Sequence, residues 1–119
     1  MTGKYNREIP ADSRLGSSAD PYVGTLAQRL KTPEGISDLA KVAKMIELAQ
    51  ELDCTAAQVA LAWCIKNPNV SSVITGASKP SQVLENCKCL AVLPKLTDAV
   101  MARIEDVFQN APSKAVARH

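Results

Sequence analysis

The sequence predicts an α/β fold with parallel strands, helical over most of this stretch, and three observations carry that prediction. A β-branched run, "VSSVIT" at 70–75, lies between Pro68 and Gly76 and reads as a strand. Helical patterns stand on both sides of it, and helix, strand, helix in order is the signature of α/β architecture. The strand has no convincing partner in the chain: only "MTGKY" at the start competes, and buried unpaired backbone groups cost about 1–3 kcal/mol each. Its neighbours are therefore expected before Met1, and the 119 residues read as a piece of something larger.

The elements follow in order. Residues 6–36 carry Pro10, Gly16, Pro21, Gly24, Pro33 and Gly35 among short polar residues, which predicts a long loop with a helical turn around "VGTLAQRL". Loops of that length are usually functional or disordered, and the residues leave both open. In "SDLAKVAKMIELAQELD" (37–53), Leu39, Val42, Met45, Ile46, Ala49 and Leu52 recur at three- and four-residue steps, one face of an amphipathic helix. A second helix starts after Thr55, with Gln58 completing a capping box. That helix, "AAQVALAWCIKN", is apolar nearly all round, so it must be covered on several sides, and Trp63 and Ile65 need more partners than the first helix offers.

After the β-branched run, Pro80 suits the first turn of a helix that continues through "SQVLENCKCLAVL" and stops at Pro94. Thr97 caps a last helix on which Val100, Met101, Ile104, Val107 and Phe108 form one stripe. "QNAPSKAVARH" is a polar tail expected to fray, so the domain is drawn over 1–110 and a flexible tail over 111–119.

Composition narrows the function. Length suits one domain and not two. With 3% aromatic residues and a net charge of +2, the chain lacks the stacking platform and the basic stripe of a nucleic-acid binder. No apolar stretch approaches the roughly 18 residues of a membrane span, and the polar N-terminus holds no signal core; a cytoplasmic protein is expected. Cys54, Cys64, Cys87 and Cys89 fit no zinc or redox spacing, which predicts reduced thiols and no metal.

The corner "GASKP" after the β-branched run is the best candidate for chemistry. Gly76 permits tight backbone geometry, Ser78 offers a hydroxyl and Lys79 a positive charge, beside a helix N-terminus whose amides and dipole favour an anion. Gln82, Glu85 and Asn86 lie one turn further on, within reach of a sugar or base. The same residues also serve as an ordinary turn that binds nothing.

Taken together, "ELDCTAAQVALAWCIKNPNVSSVITGASKPSQVLEN" resembles the C-terminal part of aldo-keto reductases. "TGKY", "IPADSR" and "AVLPKL" narrow the likeness to the branch that includes voltage-gated potassium channel beta subunits and their microbial reductase relatives. The resemblance implies a (β/α)8 TIM barrel that binds NADPH across the C-terminal ends of its strands and reduces aldehydes and ketones by hydride transfer. This chain would supply about the last third, with "VSSVIT" as the eighth strand.

Carried over by position, the resemblance implies cofactor contacts from Gly76, Ser78, Gln82, Glu85 and Asn86: Ser78 with the 2′-phosphate, Glu85 and Asn86 with the adenine. It places Lys4 near the cofactor phosphates, and Asp12 and Arg14 in a loop covering the pyrophosphate. Asp12 and Lys79 differ from the residue types usual in the branch. The family's catalytic Asp, Tyr, Lys and His fall in the first half of the barrel, so no catalytic residue is expected here; Tyr5 and Lys4 belong to the cofactor loop, and His119 to the tail. Three readings follow: a truncated reductase acting on a small carbonyl substrate, an NADPH-binding channel subunit or homo-oligomer of that type, and an inactive truncated product.

Overall fold

Capping chemistry sets where the helices begin. The computed structural model describes residues 2–112. Its helices are α1 (Arg14–Ser17), α2 (Pro21–Arg29), α3 (Pro33–Glu51), α4 (Ala56–Lys66), α5 (Pro80–Cys87), α6 (Cys89–Val92) and α7 (Asp98–Phe108), with a 3₁₀ turn at Leu93–Lys95 before α7. The expected long loop at 6–36 is largely helical instead. Its prolines start helices rather than break them: Pro21 and Pro33 occupy first-turn positions, where the missing N–H costs nothing. Asp20 accepts from the Tyr22 amide at 2.8 Å, Thr32 from the Gly35 amide at 3.2 Å, and Ser13 from the Gly16 amide at 3.2 Å.

The helix read at 37–53 is present and longer at its N-terminal end. It stops in a Schellman motif built on Asp53, whose φ of 54° is left-handed. The Cys54 amide donates to the Ala49 carbonyl at 3.0 Å and the Asp53 amide to Gln50 at 3.1 Å. Lys95 Nζ donates to the part-buried Leu52 carbonyl at 2.7 Å, tying this end to the approach of α7. The capping box at α4 forms as expected, Gln58 N to Thr55 Oγ1 at 3.2 Å and Thr55 N to Gln58 Oε1 at 3.1 Å.

The core lies among α3, α4, α6 and α7. Met45, Leu48 and Ala49 of α3 meet Val59 and Ala62 of α4, Val92 of α6, Leu96, and Ile104 of α7. Val59 and Ala62 are fully excluded from solvent, and Leu96 is 1% exposed. The near all-round apolarity of α4 matches its position, with α3 on one side and α5, α6 and the 3₁₀ turn on the other. Trp63 and Ile65 remain only partly covered, and the indole Nε1 of Trp63 is buried without a hydrogen-bond partner.

Two expectations change. The helix read from Pro80 to Leu93 is broken at Lys88, whose amide bonds to Glu85 and Asn86 in a tightened turn, so that α6 turns Cys89 and Val92 into the core. The run "VSSVIT" is no strand: among the described residues no strand forms, and residues 72–77 stay irregular. A helix closes its own backbone bonds, whereas a strand needs a neighbour, and none is present here. Ile74, 96% exposed, marks the result. Most of the expected tail, from 113 on and including His119, lies outside the described residues.

Candidate functional site

The turn before α5 is organised by one side chain. Gln82 Oε1 accepts from the Ser78 amide at 2.8 Å, the Ser78 hydroxyl at 3.2 Å and the Lys79 amide at 3.3 Å. Two of the amides expected to be free for an anion are thus already engaged by the third residue of the helix. Gly76 does not show the tight geometry expected of it. Its φ is not left-handed, and an added Cβ would meet nothing within 4 Å, because no neighbouring strand crowds the corner.

Around this turn, Ala77, Ser78, Lys79, Pro80, Val83 and Leu84 line an open hollow of about 560 Å³. A narrower groove of about 270 Å³ runs between α4 and α5, where Asn86 faces Val73 and Thr75 across from Leu61 and Ile65. Asn86 is half-buried; Ser78, Gln82 and Glu85 are exposed. Cys89 also borders the groove, and burial, then the neighbouring Cys87 thiol, push its thiol above the ordinary range, so it stays protonated at neutral pH. All four cysteines are free.

Sequence reasoning missed the residue that holds α5 in place. Gln58 is 6% exposed, and while its Oε1 completes the α4 cap, its Nε2 donates to the Glu85 carbonyl at 2.9 Å. One carboxamide therefore caps one helix and anchors the next. The capping box announces Gln58, but nothing local announces the second bond, which spans 27 positions.

The remaining candidates gather at the other end of the chain. Gly3, with φ of 73°, turns the backbone so that Asn6 N bonds to Gly3 O at 3.1 Å and Asn6 Nδ2 reaches the Leu39 carbonyl of α3 at 3.0 Å. Lys4 lines a hollow of about 220 Å³ beside Tyr5 and Asp38. Arg14 lines another of about 490 Å³ with Arg29, Tyr5 and Asp38. Tyr5 and Asp38 are common to both, so Lys4 and Arg14 border adjoining space. Asp12 is exposed, next to the Ser13 cap of α1. The structure thus places Ser78 and Asn86 in adjoining hollows at the start of α5, with Gln82 bonded to Ser78, and Lys4 and Arg14 in a separate pair of hollows; Gly76 and Glu85 line none of the four.

Among the described residues, no helix is long and apolar enough to cross a membrane, and no three His, Cys, Asp or Glu side chains cluster as metal ligands would.

Comparison with known proteins places this arrangement. The model of the Aldo/keto reductase family matches residues 2–109. A putative voltage-gated potassium channel subunit beta of Schizosaccharomyces pombe is 41% identical over 112 residues, covering 94% of this chain and 31% of the relative. Probable voltage-gated potassium channel beta subunits of Arabidopsis thaliana and of Oryza sativa subsp. japonica are each 46% identical over 115 residues, covering 96% of this chain and 33% of the relative. The chain spans about a third of the length of these curated relatives. With one family model matched from residue 2 to residue 109, the chain belongs to the aldo/keto reductase family, in the branch that includes voltage-gated potassium channel beta subunits.

Proposed function

We infer that this chain is the dinucleotide-binding part of an NADPH-dependent oxidoreductase that reduces aldehydes and ketones. The family implies a (β/α)8 barrel, of which residues 1–110 would form about the last third, with residues 70–75 taking up their place as a strand beside neighbours supplied by the rest of the barrel. The observation that carries the reading is the donor set at the start of α5: the Ser78 hydroxyl and the Lys79 ammonium border one open hollow, the Asn86 carboxamide borders the adjoining groove, and Gln82 is bonded to the Ser78 and Lys79 donors. That chemistry fits the adenosine 2′-phosphate end of NADPH, since an anion gains from a cation and from donors at a helix N-terminus.

Ser78 and Lys79 would hold the 2′-phosphate, Gln82 the ribose, and Glu85 and Asn86 the adenine. Gln82 Oε1 would release the Ser78 and Lys79 donors as the phosphate takes them, so the corner exchanges an internal acceptor for an external one. Lys4, Asp12 and Arg14 would close over the pyrophosphate from the first loop. When bound, NADPH supplies the hydride; the general acid that protonates the carbonyl oxygen would come from outside this segment. A cytoplasmic setting agrees with this chemistry.

The names of the relatives favour a second reading, in which the same cofactor site serves a regulatory beta subunit of a potassium channel. Both readings share the site and differ in what the bound nucleotide does.

The test is made in a complete barrel carrying this segment, with NADPH and NADH binding followed by nucleotide fluorescence. Ser78→Ala should weaken NADPH about tenfold and NADH far less, the size expected for one charge-assisted hydrogen bond. Asn86→Ala should weaken both. Unchanged affinity for both nucleotides in both variants removes the assignment.

A further inference from the structure

The two hollows at the start of the chain share a wall, and the residues around them carry an excess of positive charge. Tyr5, Leu30 and Asp38 border both. Lys4 borders one, Arg14 and Arg29 the other, so three cations and one carboxylate surround adjoining space of about 220 and 490 Å³. Among the described residues the ion pair is Arg103 with Glu51; Lys4, Arg14 and Arg29 have no carboxylate at ion-pair distance. Like charges held around one space without a counter-ion repel, and an anion between them relieves that repulsion.

Arg29 is more than a cation ending on the surface, because its backbone is fixed. It closes α2, and its carbonyl accepts from the Thr32 amide at 3.1 Å and from the Thr32 hydroxyl at 2.7 Å. The same Thr32 caps α3, accepting from the Gly35 amide at 3.2 Å. Gly35 is buried against this turn, and a Cβ there would collide with the Arg29 carbonyl and crowd Leu30. The ends of α2 and α3 are thus locked together at Arg29, which sets the origin of its side chain beside the hollow that Arg14 also borders. Folding residues 6–36 into helices has this result: α1 begins with Arg14 and α2 ends with Arg29.

Resting on the nucleotide reading above, we propose that Arg29 is a further diphosphate-binding residue, completing with Lys4 and Arg14 a three-cation clasp on the dinucleotide diphosphate. Sequence reasoning offered Lys4 and Arg14 for that group and passed over Arg29. A guanidinium suits the role, since its fork of N–H donors matches phosphate oxygens. Three cations less the Asp38 carboxylate leave the charge that a diphosphate diester neutralises. The clasp reads the part common to NADPH and NADH, and the α5 corner reads the 2′-phosphate that separates them.

The test begins with the 119-residue chain and inorganic pyrophosphate, followed by titration calorimetry. Arg29→Gln should weaken pyrophosphate about tenfold, the size expected when one charge-assisted contact is lost, and leave the circular dichroism unchanged. Lys31→Gln removes an exposed cation that borders neither hollow, and should leave the affinity within about twofold. In a complete barrel carrying this segment, Arg29→Gln should weaken NADPH and NADH by the same factor, whereas Ser78→Ala separates them. That comparison decides if the chain alone binds pyrophosphate too weakly to measure. Parental affinity for both nucleotides in Arg29→Gln, or an equal loss in Lys31→Gln, overturns the proposal. If Ser78→Ala still separates the two nucleotides while Arg29→Gln changes neither, the clasp fails and the nucleotide corner stands.

Discussion

The two flanks of α4 contrast sharply. On its core side, α4 closes against α3 and α6, and Val59 and Ala62 see no solvent. Toward residues 70–77 and α5, it borders a groove, and in and around that groove Ile74, Leu84 and Leu90 are 96%, 69% and 61% exposed. Hydrophobicity does not separate the two flanks, for both are rich in Val, Leu and Ile. What separates them is the kind of partner each requires. Helices satisfy their own backbone and need only side-chain complementarity, which these residues provide. A strand needs the amides and carbonyls of another strand, and the described residues provide none.

The contrast can be broken most directly by truncating one residue from each flank. Leu96→Ala, in the closed region, should cost about 2–5 kcal/mol in urea unfolding, as deletions at fully buried sites do. Ile74→Ala should change stability by no more than about 0.5 kcal/mol, as exposed substitutions do. Comparable losses from the two would mean that residues 70–77 are packed after all.

A smaller effect is expected at the seam between the flanks. Gln58→Ala removes the reciprocal cap of α4 and the bond to the Glu85 carbonyl together, at a cost of about 1–3 kcal/mol. Amide exchange should speed up across α5 and stay unchanged in α7. Faster exchange in α4 alone would show that the tether to Glu85 does not hold α5.

The smallest effect belongs to the pair that links α3 to α7 at the surface. Arg103 binds Glu51 through two hydrogen bonds, 2.7 and 3.0 Å, and these hold the Glu51 carboxyl below the usual carboxylate range. A lowered folded-state value means that the contribution is present above the ordinary carboxylate range and is lost as pH falls through that lowered value. Both side chains are about half exposed, so the contribution is small and fades with salt. The melting temperatures of the parent and Glu51→Gln should differ slightly at neutral pH in low salt, and coincide in acid.

What could be read ahead of the structure follows the same division. Thr55 with Gln58, Pro80 and Thr97 each announced a helix start through chemistry confined to one turn, and each start is where it was read. Pro21 and Pro33 carried equally local signals, but the density of glycine and proline around them suggested a loop, because a first-turn proline and a breaker look alike until the preceding cap is weighed. Residues 70–75 read as a strand from their β-branched side chains, and no strand forms among the described residues, because pairing needs a neighbour that local sequence does not supply. At the candidate site, Ser78, Gln82 and Asn86 stand in one short stretch of sequence, so their proximity was legible. The hold of Gln58 on Glu85 was not, because it joins two helices through a side chain already occupied in a cap.

The open run at 72–77 also bears on how long the polypeptide survives. Proteases favour accessible backbone outside helices, and chaperones favour exposed aliphatic side chains; irregular and with Ile74 outward, this segment presents both signals at once. Among the described residues, this stretch is therefore expected to be a preferred point of attack, open without unfolding of the helical core. Any molecule that lies along it lengthens the lifetime of the whole by shielding six residues.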